Sequence, residues 1–348
     1  MELGQDQSFQ PRESCDKGSR IVISPANIRR TGGLLFGGLG SHLLDMSQPL
    51  SGIIPPLVTP LRDRDLLDCE GLERLIEHLI GGGVSGLFIL GTTGEGPSLS
   101  YRLRRELIER TCKQTAGRVP VLVGITDTSF TESVNLARHS AEAGATHVVT
   151  APPYYFPAAP PELQEYIQDL VAEMPLPMFL YNMPGLTKVS FEIDLVRRAL
   201  DMPGICGVKD SSCDMIYFHR LLEVAKQRAD WSVLVGPEEL TAEAVLLGGN
   251  GGINGGANLH PKLYVEMYRA AAAQDLQLTR ELHAKVMQLA GSIYTVGRHK
   301  SAIIKGIKCG LSLLGICEDH MAEPFHRFRD PERAIIRERL VNLGLIKA

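Results

Sequence analysis

From Gly52 onward, short apolar runs rich in β-branched residues alternate with longer amphipathic stretches. The runs cover residues 53–59, 86–90, 119–125, 147–151, 178–181, 205–209, 231–235 and 252–254. Each is nearly continuous in hydrophobicity, the pattern of parallel strands buried on both faces. The stretches between them have helical spacing. Leu72, Leu75, Ile76 and Leu79 recur at i, i+3, i+4 and i+7, and Leu163, Ile167, Leu170 and Val171 likewise share one helix face. Pro237 is expected to open the helix after the seventh run, where a missing N–H costs nothing. Eight such repeats suit a closed barrel or a doubly wound open sheet. A doubly wound dinucleotide fold places GxGxxG after its first strand. Here that position reads Pro60-Leu61-Arg62-Asp63-Arg64-Asp65, without glycine. The pattern therefore predicts an α/β protein, a (β/α)8 TIM barrel over residues 46–270. Beyond residue 271 it is helical only, at 276–296, 301–314 and 331–343, which predicts a C-terminal helical cap over 271–348. Residues 1–45 are rich in Gly, Ser and Arg and have no clear period. They read as a disordered tail, or as the product of a mis-called start with Met46 as the true first residue.

The 348 residues accommodate a barrel of roughly 250 residues plus additions. A formal net charge of −4, with basic residues scattered among acidic ones, excludes a clustered basic nucleic-acid footprint. No apolar run reaches the ~18 residues of a membrane span. The seven cysteines are dispersed and show no CxxC spacing. That pattern speaks against a disulfide framework or a zinc site and points to a reducing cytoplasm.

In such a barrel, chemistry sits where the strands end and their loops begin. The second run ends in Gly91-Thr92-Thr93-Gly94-Glu95-Gly96. Glycines there permit positive φ and close approach of a ligand, and two hydroxyls can face a small carboxylate; a plain βα turn is the alternative. The fourth run leads into the stiff aromatic stretch Pro153-Tyr154-Tyr155-Phe156-Pro157, and the fifth ends in Tyr181-Asn182-Met183-Pro184. The sixth is Ile205-Cys206-Gly207-Val208-Lys209-Asp210. A lysine closing an apolar strand is unusual, and Lys209 alone among the lysines occupies a predicted barrel strand. Burial would lower its pKa and supply the neutral amine that attacks a ketone. Pairing with a carboxylate across the barrel is the competing reading. Glu238 and Glu239, after the seventh run, are taken as acids favoured in the first turn of a helix. The glycine tract 248–256 suits either a phosphate cradle or close approach of backbone carbonyls to a substrate. Asp127 stands alone after the third run, and His147 lies at a strand start, away from the chemistry. No metal-ligand cluster emerges at the strand ends.

Three of these motifs in this order, Gly91-Thr92-Thr93-Gly94-Glu95, Tyr181-Asn182-Met183-Pro184 and Gly207-Val208-Lys209-Asp210, resemble the dihydrodipicolinate synthase / N-acetylneuraminate lyase family of class I Schiff-base aldolases. The resemblance covers about residues 52 to 315. It implies that Lys209 forms the imine with pyruvate or another 2-oxo acid. It implies that Tyr181 shuttles protons and that Thr92 and Thr93, with Gly94, meet the substrate carboxylate. Tyr155 matches a tyrosine that, in the synthase branch, reaches a neighbouring subunit's site. Ile253 matches a position whose carbonyl faces the active site. No metal or organic cofactor is implied, and a homo-oligomer, dimer or tetramer, is expected.

One departure bears on substrate. The synthase branch carries an arginine a few residues after the tyrosine motif, where it holds the second substrate's carboxylate. Leu186 stands there in this chain, more like the sialic-acid lyases. Residues 91–100 and 153–157 are similar to 2-keto-3-deoxygluconate aldolases. The first expectation is thus an aldolase or lyase joining pyruvate and an aldehyde, on a 2-keto-3-deoxy sugar acid or a related 2-oxo acid. The alternatives are a 4-hydroxy-tetrahydrodipicolinate synthase using aspartate semialdehyde, an N-acetylneuraminate lyase, a non-catalytic 2-oxo-acid-binding barrel, and a phosphate-binding isomerase barrel.

Overall fold

The structure, a computed structural model, describes residues 48–347. The expectations for residues 1–45 and for Met46 as the start lie outside the described residues. Eight parallel strands form the sheet: β1 (Gly52–Ile53), β2 (Leu87–Ile89), β3 (Val121–Gly124), β4 (His147–Thr150), β5 (Met178–Asn182), β6 (Ile205–Asp210), β7 (Ser232–Val235) and β8 (Gly251–Gly252). Each pairs with its sequence neighbour from β2 to β8, and β8 pairs with β1. A parallel bridge between Pro56 and Phe88 closes the barrel. There the Leu57 N–H donates to the Phe88 carbonyl at 2.8 Å, and the Phe88 N–H donates to the Pro55 carbonyl at 3.0 Å. The first run is ladder-paired over only two residues because Pro55 and Pro56, which follow Ile54, have no N–H to offer. A small hairpin, Leu61–Asp63 against Leu66–Leu67, occupies the stretch after β1 and was not expected from the pattern.

Around the barrel run α1 (Cys69–Gly81), α2 (Tyr101–Thr115), α3 (Phe130–Ala143), α4 (Pro160–Glu173), α5 (Ile193–Ala199), α6 (Met215–Ala225), α7 (Thr241–Leu246) and α8 (Pro261–Ala272). Three helices follow: α9 (Leu276–Ile293), α10 (Ala302–Leu313) and α11 (Asp330–Asn342). Leu72, Leu75, Ile76 and Leu79 of α1 are all buried, as their spacing predicts. Each such leucine or isoleucine contributes about 1.5–3 kcal/mol. Asp68 caps this helix by accepting from the Gly71 N–H at 3.1 Å. Pro237 does not open α7 directly. It precedes a 3-10 turn, Glu238–Leu240, and α7 begins after that.

Two apolar layers result. Ile54, Phe88, Leu122, Val149, Phe179, Tyr181, Leu234 and Ile253 fill the barrel interior. A second, larger core lies between strands and helices. Two buried carboxylates tie the strand-end loops to the C-terminal helices. Glu238, read from sequence as serving a helix dipole, is 3% exposed. It accepts from the hydroxyls of Tyr264 and Tyr294, the latter at 2.8 Å, and from the Gly256 N–H at 2.8 Å. Burial outweighs these donors and raises its pKa to about 7. Glu95 accepts from Lys308 Nζ at 2.5 Å and from the Ala322 N–H at 2.8 Å. Lys308 is fully buried and also donates to the His320 carbonyl at 2.6 Å. Its helical spacing alone concealed this.

Candidate active site

The C-terminal mouth of the barrel collects the expected groups. In the β5–β6 ladder Tyr181 stands opposite Lys209, so both side chains enter the interior together. Lys209 Nζ lies 3.9 Å from the centre of the Tyr181 ring and 5.0 Å from that of Phe88. The two rings meet edge to face, 6.5 Å apart. Lys209 is 4% exposed. Among the described residues, the lysine salt bridges are those of Lys226, Lys262 and Lys308; Lys209 has none. The carboxylate-paired alternative therefore belongs to Lys308, not to Lys209. Burial pushes the Lys209 amine below its usual range, and the adjoining Tyr181 only partly opposes this. Burial alone would raise the Tyr181 hydroxyl. The Lys209 charge and hydrogen bonds from Thr92, Ser211 and Lys209 outweigh it and lower the phenol instead. The Tyr181 hydroxyl and Thr92 Oγ1 are 3.2 Å apart. An amine of lowered pKa, a phenol and a threonine hydroxyl are thus contiguous.

Beside them opens a cavity of about 180 Å³ whose walls include Phe88, Thr92, Thr126, Tyr154, Tyr181 and Leu186. Leu186 sits on a single helical turn, Pro184–Thr187, directly after β5. Thr126 Oγ1 accepts from the Ala151 N–H at 2.9 Å, which leaves its hydroxyl hydrogen free to donate into the cavity.

The remaining expected residues fall in different places. Thr93 is half-buried and does not line this cavity. The Gly94 carbonyl accepts from Thr59 Oγ1 at 2.6 Å, and a Cβ at Gly94 would come within 2.9 Å of the Leu57 carbonyl. Ile253 is buried in the barrel interior, with its N–H on the Val235 carbonyl at 2.8 Å. Tyr155 lies outside its own chain's cavity and is 81% exposed; Tyr154 takes the place on the wall.

The glycines act differently from the sequence reading. In the 91–96 loop the left-handed residues are Glu95 and, just before the loop, Leu90, not the glycines. Gly96 is required by close packing, since a Cβ there would lie 2.1 Å from the Leu90 carbonyl. Much of the tract at β8 is also filled by the protein itself, although Gly248 faces open space. Added Cβ atoms at Gly251 and Gly256 would meet the Gly52 carbonyl and the Tyr264 hydroxyl, each at 2.0 Å. That leaves no open phosphate cradle at these positions. Asp127 is not solitary: it holds Arg104 at 2.8 Å in a buried salt bridge and accepts from the Tyr101 hydroxyl. His147 packs on Phe179 at the opposite end of the barrel, with ring centres 5.6 Å apart.

Sequence reasoning missed Phe88, Thr126 and Tyr154. Phe88 is one apolar residue in an apolar run, and Thr126 follows a strand without a motif. The neighbouring tyrosines 154 and 155 differ only in which way each points.

A barrel whose sixth strand delivers a buried, unpaired lysine against a tyrosine and a threonine defines a class I, Schiff-base carbon–carbon lyase. Comparison with known proteins agrees: the model of the Dihydrodipicolinate synthetase family matches residues 49–342, and the chain belongs to that family. It is 57% identical to the dihydrodipicolinate synthase of Bacteroides thetaiotaomicron, whose solved structure superposes with a TM-score of 0.83 over 85% of this chain and 99% of that one. It is 34% identical over 290 residues to the probable 2-dehydro-3-deoxy-D-pentonate aldolase YjhH of Escherichia coli K12, covering 82% of this chain and 96% of the relative. The E. coli K12 family member YagE, solved in complex with pyruvate, is 29% identical, with a TM-score of 0.80 over 85% of this chain and 99% of that one. No helix among the described residues is long and apolar enough to cross a membrane.

Proposed function

We propose that this enzyme forms or cleaves a carbon–carbon bond between pyruvate and a neutral, hydroxylated aldehyde, with a 2-keto-3-deoxy sugar acid as the joined species. The observation that carries this reading is Leu186 on the cavity wall, where the synthase branch carries a carboxylate-binding arginine. Replacing a bidentate cation by an alkyl group removes the clamp for a carboxylate-bearing aldehyde. The hydroxyls of Thr126 and Tyr154 on the same walls suit a polyhydroxy chain. The similarity to YjhH, named for a 2-dehydro-3-deoxy-pentonate, supports the same class.

The Lys209 amine attacks the ketone carbon of pyruvate. Tyr181, relayed through Thr92, protonates the departing oxygen, which leaves as water. The protonated imine then withdraws electrons from the neighbouring methyl carbon, so that loss of a proton gives an enamine. That carbon adds to the aldehyde, and hydrolysis frees Lys209; cleavage runs the same steps in reverse. The lysine itself supplies the electron sink, so no metal or organic cofactor enters the scheme. Thr93 and Gly94 complete the carboxylate site, and the Ile253 carbonyl faces the bound substrate. Tyr155 completes a neighbouring subunit's site in a homotetramer or dimer, and the protein works in the cytoplasm.

The 57% identity to the dihydrodipicolinate synthase of Bacteroides thetaiotaomicron favours a second reading, condensation with aspartate semialdehyde. Incubation with pyruvate and borohydride, read by intact mass, is expected to give a reduced pyruvyl adduct on the wild type and none on Lys209→Ala. The adduct-forming enzyme is then offered 2-keto-3-deoxy-pentonate, 2-keto-3-deoxygluconate and N-acetylneuraminate for cleavage, and pyruvate with aspartate semialdehyde for synthesis. Pyruvate release from a deoxy sugar acid is the expected result. Turnover of aspartate semialdehyde alone would establish the synthase reading, and cleavage of N-acetylneuraminate alone a sialic-acid lyase. An adduct without turnover of any of them would leave a binding barrel.

A further inference from the structure

Each strand motif of the site carries a polar residue that the chemistry above does not use. Asn182 follows Tyr181 on β5, and Asp210 follows Lys209 on β6. Strand alternation turns both away from the barrel interior, toward the layer under the helices. Both are buried, at 1% and 2% exposure. Asn182 Nδ2 donates to Asp210 Oδ1 at 2.8 Å. Asn182 Oδ1 accepts from the Phe191 N–H at 3.1 Å, and Asp210 also accepts from the Ser212 N–H at 3.1 Å and the Ser212 hydroxyl at 2.9 Å. Every side-chain bond here has one donor and one acceptor, and the two residues are bonded to each other.

The ladder between these strands gives this contact a purpose. Met178 pairs with Ile205, but Phe179 pairs with Gly207, so Cys206 is bulged out of β6. The bulge offers a neighbouring register. Without it, Val208 would face Tyr181 and Lys209 would face Asn182. A one-residue slip sends every side chain to the other face, so Lys209 would leave the barrel interior. The Asn182–Asp210 bond matches only the bulged register, in which Asn182 stands opposite Asp210 and Tyr181 opposite Lys209.

We propose that Asn182 and Asp210 are positioning residues that lock β6 in the bulged register and so hold the Lys209 amine over the Tyr181 ring; this rests on the reading of Lys209 as the imine-forming lysine. Neither touches the reacting atoms. Both act through the backbone of the residue before them.

The test is the rate of borohydride-trapped adduct formation at saturating pyruvate, per folded protein, in the wild type, Asn182→Asp, Asn182→Ala and the exchanged pair Asn182→Asp/Asp210→Asn. Asn182→Asp sets two acceptors against each other and Asn182→Ala removes the donor; both are expected to slow trapping on the order of 10²-fold, as for a reacting group displaced by about 1 Å. The exchanged pair restores the bond between the two side chains but sets the new amide against the Ser212 N–H, which shares Asp210 Oδ1 in the wild type, so it is expected to recover part of the lost rate. Folded Asn182→Ala reacting as fast as wild type, or a folded exchanged pair slowed by the full order of 10²-fold, overturns the proposal. Should both single variants fail to fold, the exchanged pair decides by the same rate. An adduct absent from the wild type itself overturns the Lys209 reading and this one with it. A wild-type adduct with unaffected variants overturns this one alone.

Discussion

Lys209 and Lys308 are chemically identical and both buried, yet their surroundings assign them opposite tasks. Lys308 meets the Glu95 carboxylate and a backbone carbonyl, which keep its ammonium satisfied. Lys209 meets two aromatic rings, one of them the phenol of Tyr181. With little to stabilise its charge, burial lowers its pKa from the ordinary 10.5 and readies the free amine. The rate of adduct formation with pyruvate should therefore rise with pH along a limb centred below 10.5, the value at which an unperturbed lysine titrates. A limb at or above that value, measured by trapping across a pH series, would contradict this account. Tyr181→Phe keeps the ring under the amine but removes the hydroxyl proposed to carry the proton; a loss of about 10²- to 10⁴-fold is expected in steady-state turnover. From sequence, Lys209 stood out because a lysine is conspicuous in an apolar strand. Lys308 did not, because helices routinely carry lysines and the spacing does not name its partner.

The loop after β2 is the element on which the site and the C-terminal helices converge. Thr92 reaches into the site, and Glu95, three residues on, anchors α10 through Lys308. Breaking a buried pair by removing one partner leaves an uncompensated charge. Lys308→Met should cost about 3–5 kcal/mol in denaturant unfolding, and adding Glu95→Gln should recover much of the loss. Equal stability of Lys308→Met and wild type would show that the pair holds nothing. The loop's glycines were legible as important, but for another reason than the one sequence suggested. Gly96 makes room for the Leu90 carbonyl, while the left-handed turn falls on Glu95 itself. A glycine in a sequence signals backbone freedom or lack of a side chain, and only the folded neighbours distinguish them.

One exposed segment bears on the proposed chemistry at the scale of the whole molecule. Tyr155 and Phe156, at 81% and 82% exposure, project from the loop after β4 with their rings 6.3 Å apart. Under the oligomeric reading proposed above, Tyr155 serves another subunit. Mixing inactive Lys209→Ala protein with weakly active Tyr155→Ala protein should then restore turnover, because one site in the hybrid receives both an intact lysine and an intact tyrosine. An activity equal to the sum of the separate proteins after subunit exchange would place Tyr155 outside the reaction. The eight strands themselves were legible, since runs buried on both faces write their burial into composition. Their paired lengths were less so: β1 and β8 keep only two ladder residues each, where prolines or a turn interrupt the run.

Local pattern was enough to establish the barrel order, the helix faces and the unusual place of Lys209, because periodicity and composition report which surface of each segment is buried. Tertiary structure alone decided how the buried polar groups are matched. Thr92 meets Tyr181 across 89 residues, Lys308 meets Glu95 across 213, and Glu238 gathers two tyrosines, one in α8 and one just after α9. It also decided that Asn182 and Asp210 form a pair and that Tyr154, not Tyr155, lines its own chain's cavity. A buried donor must find an acceptor, but which acceptor depends on where distant segments come to rest. That information lies in the closure of the barrel rather than in any stretch of the chain.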